Sequence, residues 1–386
     1  MHNFIKRQLF YRILILIIIL FYIPNNAQSN TRFAVIGDFG LAGTAEEDVA
    51  NLINSWNVDF IITLGDNNYP DGKASTIDEN IGQYYHQYIY PYVGSYGEGS
   101  DVNRFFPSLG NHDWRTNPPQ PYYDYFELAN NERYYDFVWG EVHFFVIDSD
   151  TDEPDGVSEN SVQGQWLQNA LSTSISTWNV VYFHHPPYSS SSNHGSQEYM
   201  QWPFKNWGGT AVLAGHDHTY ERLIVDDLLY FVNGLGGKSK YSFSNPIPGS
   251  QVRYNSDYGA MLVEANQDSI TFKFYSRAND LIDTYTLLNN LSGVEPILIN
   301  TFILNQNFPN PFNPSTKISF QIKEYGFVTL IVYDVLGNEV DTIVNENRPI
   351  GSYEVDFNAS NLPSGIYTYT LTVGNYSDSK KMILLK

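Results

Sequence analysis

Short apolar segments alternate with polar stretches over residues 31–288. The apolar segments have the length of buried strands, and glycine or other turn residues follow them. They lie at 32–36, 60–64, 142–147, 180–183 and 211–214. Residues 45–55 and 163–172, which lie between such segments, carry apolar side chains at helical spacing. This alternation predicts an α/β domain whose strands are hydrophobic on both faces.

The pattern changes near residue 288. Residues 289–302 are predicted to form a linker, and the segment 307–316 contains three prolines. Beyond it, alternating apolar and polar positions with turn signals predict strands at 317–322, 328–334, 339–344, 351–357, 366–373 and 380–385. Because no helical period occurs in this region, residues 303–386 are predicted to form a small all-β, immunoglobulin-like sandwich.

Residues 1–27 have the pattern of a secretory signal peptide. Lys6, Arg7 and Arg12 precede an apolar run at 13–23, which is too short for a comfortable membrane span. Asn25 is not a small residue and gives a poor cleavage site, so an uncleaved N-terminal anchor stays an alternative. The sequence has no cysteine, so an exported form would have no disulfides and no lipidated cysteine. We expect export, with no stable membrane span after processing.

The charge balance narrows the classes of partner. The chain has 21 Lys and Arg residues against 42 Asp and Glu residues, which gives a formal net charge of −21. Such an excess repels nucleic acids and anionic membrane surfaces, so neither is expected as a partner. A phosphate-binding site in so acidic a chain needs a local source of positive charge, which a bound metal ion would provide.

Five apolar segments, the four at 32–36, 60–64, 180–183 and 211–214 together with 105–110, end in residues that commonly bind metal ions. The residues are Asp38, Asp66 with Tyr69, Asn111 with His112 and Asp113, His184 with His185, and His216 with His218. A single aspartate after a strand is usually a helix cap or a turn residue. Five such endings are harder to explain in this way, because strand ends in α/β sheets form a common crevice. The pattern therefore predicts a metal site shared by these loops.

Five short motifs resemble those of the calcineurin-like metallophosphoesterases in order and approximate spacing. They are GDFG at 37–40, GDNNY at 65–69, GNHD at 110–113, HHPPY at 184–188 and GHDH at 215–218. The tyrosine of GDNNY makes the chain similar to the purple acid phosphatases, in which this tyrosine is an iron ligand. The resemblance covers residues 31–288 and implies a sandwich of two mixed β-sheets flanked by helices.

The tail resembles the C-terminal sorting domain of type IX secretion substrates. The resemblance rests on NPFNPST, VYDVLGNEV, NLPSGIY and the final KKMILLK. It implies a Gram-negative, Bacteroidota-like exporter, a secreted or cell-surface location, and the type IX secretion machinery as a partner. An ordinary carbohydrate-binding or spacer module is the alternative.

Carried over motif by motif, the resemblance implies two metal ions. The first ion would be held by Asp38, Asp66, Tyr69 and His218, and the second by Asp66, Asn111, His184 and His216. Anionic phenolate and carboxylate donors favour Fe(III) at the first position. Neutral imidazole and amide donors suit a divalent ion at the second, which we expect to be Fe, Zn or Mn.

The resemblance also implies a reaction, the hydrolysis of phosphate monoesters by a secreted acid phosphatase through attack of a metal-bound hydroxide. His112 and His194 are the expected proton donors to the leaving group, with Asp113 expected to orient His112. A phosphodiesterase or nucleotidase on the same fold is the first alternative. A binding protein with a decayed site is the second, and the retention of every ligand position argues against it.

Three other features have both a functional and a structural interpretation. The tyrosine-rich segments 84–96 and 122–126 suit either a stacking wall for a substrate or an aromatic outer core, and we favour the core. NGLGG at 233–237 lacks the Lys-Ser/Thr of a phosphate-binding loop, so its glycines are predicted to allow close backbone approach. His185 is predicted to support the neighbouring ligand by packing.

Overall fold

The computed structural model describes residues 30–289, 302–323, 326–348 and 351–386. The predicted signal peptide and most of the predicted linker lie outside these residues. Within the described ranges, no helix is both long enough and apolar enough to cross a membrane.

The strands of residues 30–289 are short and mostly buried. They are β1 (Thr31–Ile36), β2 (Phe60–Thr63), β3 (Phe105–Pro107), β4 (Tyr135–Trp139), β5 (Val142–Val146), β6 (Trp178–Phe183), β7 (Ala211–Ala214), β8 (Tyr220–Val225), β9 (Leu228–Asn233), β10 (Ser250–Tyr254), β11 (Gly259–Ala265), β12 (Ser269–Ser276) and β13 (Leu281–Leu288). The five strands expected from the hydrophobic pattern are all present, with ends that differ by no more than two residues.

Two helices of twelve residues accompany the strands. They are α1 (Thr44–Ser55) and α4 (Val162–Thr173), and both match the predicted helical segments. Shorter helices are α2 (Gln83–Tyr85), α3 (Gln120–Tyr125) and α5 (Phe204–Trp207). Single helical turns lie at Asp78–Gly82, His86–Tyr88, Trp114–Thr116 and Glu198–Met200.

The strands form two mixed sheets. The six-stranded sheet has the order β13-β12-β11-β1-β2-β3, and the seven-stranded sheet has the order β10-β8-β9-β7-β6-β5-β4. β1, β2 and β3 are parallel in the first sheet, and β5, β6, β7 and β9 are parallel in the second. The remaining pairings are antiparallel. The expected fold class, a sandwich of two mixed sheets flanked by helices, is confirmed.

The central strands of each sheet are buried on both faces, as their continuously apolar sequences require, whereas β10, β12 and β13 are less buried or buried on one face. On β1, Phe33 and Val35 point into the core between the sheets, while Ala34 and Ile36 point to the outer layer that contains α1. A third apolar cluster lies between the seven-stranded sheet and the layer of α4 and α5. Strand side chains alternate between faces, so central strands such as β1 contribute to two cores.

The tyrosine-rich segments belong mainly to the outer core. Tyr85, Tyr88, Tyr122 and Tyr125 are buried in the cluster with α1. The hydroxyl of Tyr125 also donates to Asp78, at 2.8 Å. This placement supports the interpretation of these segments as an aromatic core.

A buried ion pair joins the two sheets. Nε of Arg222 on β8 lies 2.7 Å from Oδ2 of Asp283 on β13, and the hydroxyl of Tyr220 donates to the same oxygen at 2.8 Å. The side chains of Arg222 and Asp283 are each 3% exposed, so removal of one partner would leave a buried charge unpaired. The pair therefore fixes how β8, which follows the GHDH loop, sits against the other sheet.

The tail is an all-β unit of seven strands within its described residues. They are β14 (Ile303–Leu304), β15 (Ser315–Ile322), β16 (Gly326–Tyr333), β17 (Glu339–Arg348), β18 (Gly351–Asn358), β19 (Gly365–Val373) and β20 (Tyr376–Leu384). They pair antiparallel in sheets of order β14-β15-β18 and β17-β16-β19-β20, and both sheets contribute to one apolar core. The predicted sandwich and its six long strands are confirmed.

Candidate metal centre

The loops that carry the predicted ligands follow strands whose carboxyl ends lie along one edge of the two sheets. The predicted ligands are Asp38 after β1, Asp66 and Tyr69 after β2, Asn111 after β3, His184 after β6, and His216 and His218 after β7. Parallel neighbours end at the same edge, so these loops meet there. The structure brings the seven residues together in one continuous cluster.

Three of the seven residues have a left-handed backbone. The φ angles are 56° at Asp38, 54° at Asp66 and 66° at His216. This conformation is uncommon for residues other than glycine, and it concentrates at functional sites where the surroundings enforce it. It turns the chain sharply at the strand end, which directs each side chain into the crevice.

Close approach of loop backbones explains two glycines of the 233–237 segment. A Cβ on Gly234 would lie 2.3 Å from the carbonyl oxygen of Asp217, and one on Gly236 would lie 2.5 Å from that of Gly37. Neither distance accommodates a side chain. The interpretation of these glycines as contact positions for the metal-binding loops is therefore supported.

The first group of donor atoms surrounds the hydroxyl of Tyr69. This oxygen lies 2.7 Å from Oδ2 of Asp66, 3.2 Å from Oδ1 of Asp38 and 3.4 Å from Nε2 of His218. Nε2 of His218 is also 3.3 Å from Oδ1 of Asp38. Ligands of one ion lie about 3 Å apart when metal–ligand bonds are about 2.1 Å, so the spacing suits a single cation.

The second group surrounds Nε2 of His184. This atom lies 3.1 Å from Oδ1 of Asn111, 3.2 Å from Nδ1 of His216 and 3.4 Å from Oδ1 of Asp66. Asp66 thus presents one carboxylate oxygen to each group. A carboxylate placed in this way can bridge two cations.

The hydrogen bonds of His184 test whether a cation fits the second group. Its Nδ1 donates to the carbonyl oxygen of Leu64 at 2.7 Å, so Nε2 is the ring nitrogen turned toward the cluster. Nε2 faces Oδ1 of Asp66 at 3.4 Å. A positive charge at this point, as a cation bound to both atoms would supply, makes the contact favourable, so the donor set fits a metal ion.

The electrostatics of the first group lead to the same conclusion. Burial raises the pKa of Asp38 and that of Tyr69 well above their ordinary values, and burial lowers the pKa of His218 to about 4. Burial would also raise the pKa of Asp66, but the charges of His184 and His112 hold it below its usual range. A buried cation would stabilise the deprotonated forms of all these groups.

His112 lies beside the cluster. Asp113 was expected to orient its ring, but the structure shows no contact between the Asp113 carboxylate and that ring. Nδ1 of His112 donates to the carbonyl oxygen of Pro70 at 2.6 Å, and Nε2 lies 3.9 Å from Oδ2 of Asp66. Oδ2 of Asp113 instead accepts from the backbone N–H of Gly110 at 2.9 Å and from Nδ2 of Asn67 at 2.9 Å. Burial raises the pKa of Asp113 to about 7. Its contacts tie the loop after β3 to the loop after β2.

His194 is exposed and lies over the second group. Its ring centre is 4.1 Å from that of His216. The backbone N–H of His194 donates to Oδ1 of Asp217 at 3.3 Å, and Oδ2 of Asp217 accepts from Ser189 Oγ at 2.6 Å. Asp217 lies between two predicted ligands in GHDH, and its contacts position residues 189–196, here called the serine loop, which carry His194.

Glu221 is a second residue that holds the serine loop. Its buried carboxylate accepts from the backbone N–H of Ser190 at 2.7 Å and from Ser190 Oγ at 2.8 Å. Ser250 Oγ donates to the same carboxylate at 2.6 Å. The role of Glu221 was not predicted, because only the fold shows that its strand faces the serine loop.

Tyr241, Ser239 and His185 contact the predicted ligands, and of these only His185 was predicted to do so. The ring of Tyr241 stacks on His218 at 4.1 Å between centres, and Ser239 Oγ lies 2.5 Å from Nδ1 of His218. His185 is buried, with its ring 4.4 Å from that of His216 and its Nδ1 2.9 Å from Ser149 Oγ. Burial lowers the pKa of His185 to about 3, so this ring is neutral. Its contacts agree with a supporting role.

An open cavity of about 530 Å³ lies elsewhere on the catalytic region. Its walls include Tyr188, Trp202 and Tyr230, and it contains none of the seven predicted ligands. We place the chemistry at the donor cluster, because the chemically reactive groups converge there.

Comparison with known families agrees with this geometry. Residues 31–220 match the family described as calcineurin-like phosphoesterase, and residues 306–385 match the secretion system C-terminal sorting domain.

The relatives point to the same class. Purple acid phosphatase 17 of Arabidopsis thaliana is 24% identical over 262 residues, which cover 58% of this chain and 73% of that protein. The purple acid phosphatase PPD1 of yellow lupin (Lupinus luteus) has a TM-score of 0.55 at 16% identity, with 68% of this chain and 54% of that chain covered. GAP50, described as the anchor in the inner membrane complex of Plasmodium, has a TM-score of 0.53 at 20% identity, with 67% of this chain and 89% of that chain covered.

Residues 31–220 belong to the calcineurin-like phosphoesterases, and the chain is a hydrolase of this class. Among them it is similar to the purple acid phosphatases, and these relatives imply a dinuclear metal site. The tail is a secretion system C-terminal sorting domain.

Replacement of Glu221 should loosen the serine loop without removing a ligand. In Glu221→Ala the N–H of Ser190 loses its acceptor, so we expect faster hydrogen exchange across residues 189–196. Ser250→Ala removes one hydroxyl from Glu221 but leaves its contacts with Ser190, and it should give a much smaller change. Mass spectrometry of exchanged peptides measures both. Equal exchange in Glu221→Ala and the unmodified protein would show that Glu221 does not hold the loop.

Proposed function

We propose that the chain is a dinuclear metal-dependent phosphomonoesterase of the acid phosphatase type. The observation that carries this proposal is the position of Asp66, which presents one carboxylate oxygen to each of two donor groups. One group contains the phenol of Tyr69, whose phenolate a bound cation would stabilise, and a second carboxylate, and the other contributes neutral imidazole and amide donors. This asymmetry suits two cations of unequal charge.

The residues proposed to hold the ions are those of the two groups. Asp38, Asp66, Tyr69 and His218 would hold the first ion, and Asp66, Asn111, His184 and His216 the second. When bound, the two cations would supply Lewis acidity, which polarises the phosphoryl group and lowers the pKa of coordinated water. The buried ligands exclude bulk water from one side of the centre, while half-buried Asn111 and His216 face its entrance.

His112 and His194 are proposed to move the proton that the leaving oxygen needs. Nδ1 of His112 is held by the carbonyl oxygen of Pro70, so Nε2 is the atom that faces the centre. His194 lies over His216 on an exposed loop, where it can reach a bound ester. Asp113 would act indirectly, because its contacts position the loop from which His112 projects.

A phosphodiesterase or nucleotidase on the same fold is the alternative enzyme. Its metal ligands would be the same, so the groups around the entrance decide between the two. A non-catalytic role must also be considered, because one structural neighbour is described as an anchor. We disfavour it, because no predicted ligand position is lost and all seven residues converge.

Hydrolysis of two synthetic esters tests the proposal. The metal-loaded protein should release p-nitrophenol from p-nitrophenyl phosphate faster than from bis(p-nitrophenyl) phosphate at acidic pH, and a chelator should abolish both activities. His218→Ala and His216→Ala should each lose one of two bound ions, because each imidazole belongs to a different donor group.

His86→Ala is the matched control for these variants. Nδ1 of His86 forms a hydrogen bond with the carbonyl oxygen of Gly82, and its ring lies beside that of Tyr92. His86→Ala should therefore keep the metal content and the hydrolysis rate of the unmodified protein. A preference for the diester would favour the alternative enzyme. Full activity after metal removal would rule out both the proposed phosphomonoesterase and the alternative phosphodiesterase or nucleotidase, because each depends on metal ions.

We further propose Fe(III) in the first group and a divalent Fe, Zn or Mn ion in the second. The support is the phenol of Tyr69, which is a ligand suited to a ferric ion. Tyr69→Phe should abolish visible phenolate-to-iron absorption while metal analysis still detects the second ion. A colourless wild-type protein from its own host that contains two zinc ions would contradict the ferric assignment.

The sorting domain supports a proposal about location. We infer that the protein is secreted, or displayed on the surface of a Bacteroidota-like cell, by type IX secretion, and that the signal peptide predicted at 1–27 directs the first step. Deletion of residues 303–386 should leave the enzyme inside the cell, because the determinant read by the secretion machinery is missing. Immunoblots of medium, cell surface and periplasm measure this, and efficient secretion of the truncated chain would refute it.

A further inference from the structure

A positively charged side chain, that of Arg115, lies at the entrance of the donor cluster and has no role in the proposed function above. Arg115 follows His112 by three residues, and the helical turn at Trp114–Thr116 brings its side chain back over His112. Nη2 of Arg115 lies 3.3 Å from Nε2 of His112. Its other terminal nitrogen, Nη1, donates to the carbonyl oxygen of Pro70 at 3.0 Å.

The surroundings of Arg115 leave one edge of its guanidinium available. Its carboxylate neighbour is Asp71, at 3.4 Å from Nη1, and the side chain of Arg115 is 47% exposed. Pro70 and Asp71 both contact Nη1, so Nη2 projects toward His112 and the cluster. The carbonyl oxygen of Pro70 also holds His112, so the two side chains share one anchor.

The position matters because the chain is strongly acidic. Its net charge is −21, and the donor cluster itself contains two carboxylates and a phenol. An anionic ester that approaches this surface is repelled unless cations lie at the entrance. Arg115 provides one on the His112 side, and Lys238 provides another, with Nζ 5.1 Å from the ring centre of Tyr69.

We propose that Arg115 binds the phosphoryl group of the substrate and makes the site selective for phosphate monoesters over diesters. The proposal rests on the phosphoesterase function proposed above. When His112 is protonated, its Nε2–H and an N–H of Arg115 Nη2 are both donors, and the two nitrogens are 3.3 Å apart, so neighbouring oxygens of one phosphoryl group can accept from both. A guanidinium presents several donors in a plane, which matches a group with two or three terminal oxygens.

The selectivity follows from charge. A monoester dianion has three terminal oxygens, whereas a diester has two and a single negative charge. In a pose that used both donor groups, two terminal oxygens would be directed toward them, which would leave the third oxygen of a monoester for Arg115. A diester carries a neutral ester oxygen at that place, and a guanidinium gains little from it.

The test compares Arg115→Ala with a matched control in the metal-loaded full chain. For Arg115→Ala, KM for p-nitrophenyl phosphate and the inhibition constant of inorganic phosphate should rise about tenfold, the effect of losing one charge-assisted hydrogen bond. KM for bis(p-nitrophenyl) phosphate should change little. Arg115→Lys keeps the charge but loses the planar fork. Its KM for p-nitrophenyl phosphate and its inhibition constant for phosphate should lie between those of the wild-type protein and those of Arg115→Ala.

Arg32→Ala is the control because it removes the same charge at the opposite end of β1. Arg32 pairs with Glu264 at 3.0 Å, and its side chain is 37% exposed, close to the exposure of Arg115. Its kinetic constants should match those of the wild-type protein, and metal analysis should give the same content for all variants.

Two results would overturn the assignment of Arg115. An unchanged inhibition constant for phosphate would show that the guanidinium does not contact the anion. Equal losses for monoester and diester would show that Arg115 only holds His112 and the loop at Pro70. Calorimetric titration with inorganic phosphate separates this inference from the proposed function. If the wild-type protein hydrolyses neither ester, the proposed function fails, and weaker phosphate binding by Arg115→Ala would still support the anion site.

Discussion

The chemistry expected of this protein depends on the convergence of anionic and lone-pair donors in a buried crevice. Asp38 and Asp66 each place a carboxylate oxygen within 3.2 Å of the Tyr69 hydroxyl, and all three side chains are buried, with little water to screen them. Such an arrangement is unfavourable unless protons or cations neutralise it. The two sheets tolerate it because their interiors are apolar on both faces and hold the strand ends rigidly. The candidate metal centre thus depends on the core behind it.

Contacts between loops maintain this geometry. Asp113 and Asn67 connect the loops after β3 and β2, and Asp217 with Glu221 connects the GHDH segment to the serine loop. Each carboxylate accepts backbone N–H groups that would otherwise be buried without a partner. Part of the acidity of this chain therefore has a structural role within residues 31–288. Asp113, Asp217 and Glu221 position the loops that carry His112 and His194 by hydrogen bonds within the protein.

The hydrophobic pattern predicted the local elements well. Helix α1 begins one residue before the predicted segment, and β7 has the predicted limits. Periodicity succeeds here because burial of both faces leaves few polar positions in these strands. Strands β8 to β13 were not predicted individually, and most of them pair antiparallel with a neighbour in sequence, but β11 also pairs with a distant strand. β11 lies beside β1 in the sheet although more than 220 residues separate them.

By itself, the sequence determined the class of chemistry: it placed metal-binding side chains directly after buried strands, and this order is a local property of the chain. It also determined the position and character of the tail. Only the tertiary structure decided which groups share a cation, because that depends on how the two sheets align their strand ends. Only the tertiary structure also showed which residues hold the predicted site residues in position. Asp113 was expected beside His112, yet the carbonyl of Pro70 holds that ring, and Arg115 lies over it. Such contacts depend on loop conformation, which spacing along the chain does not specify.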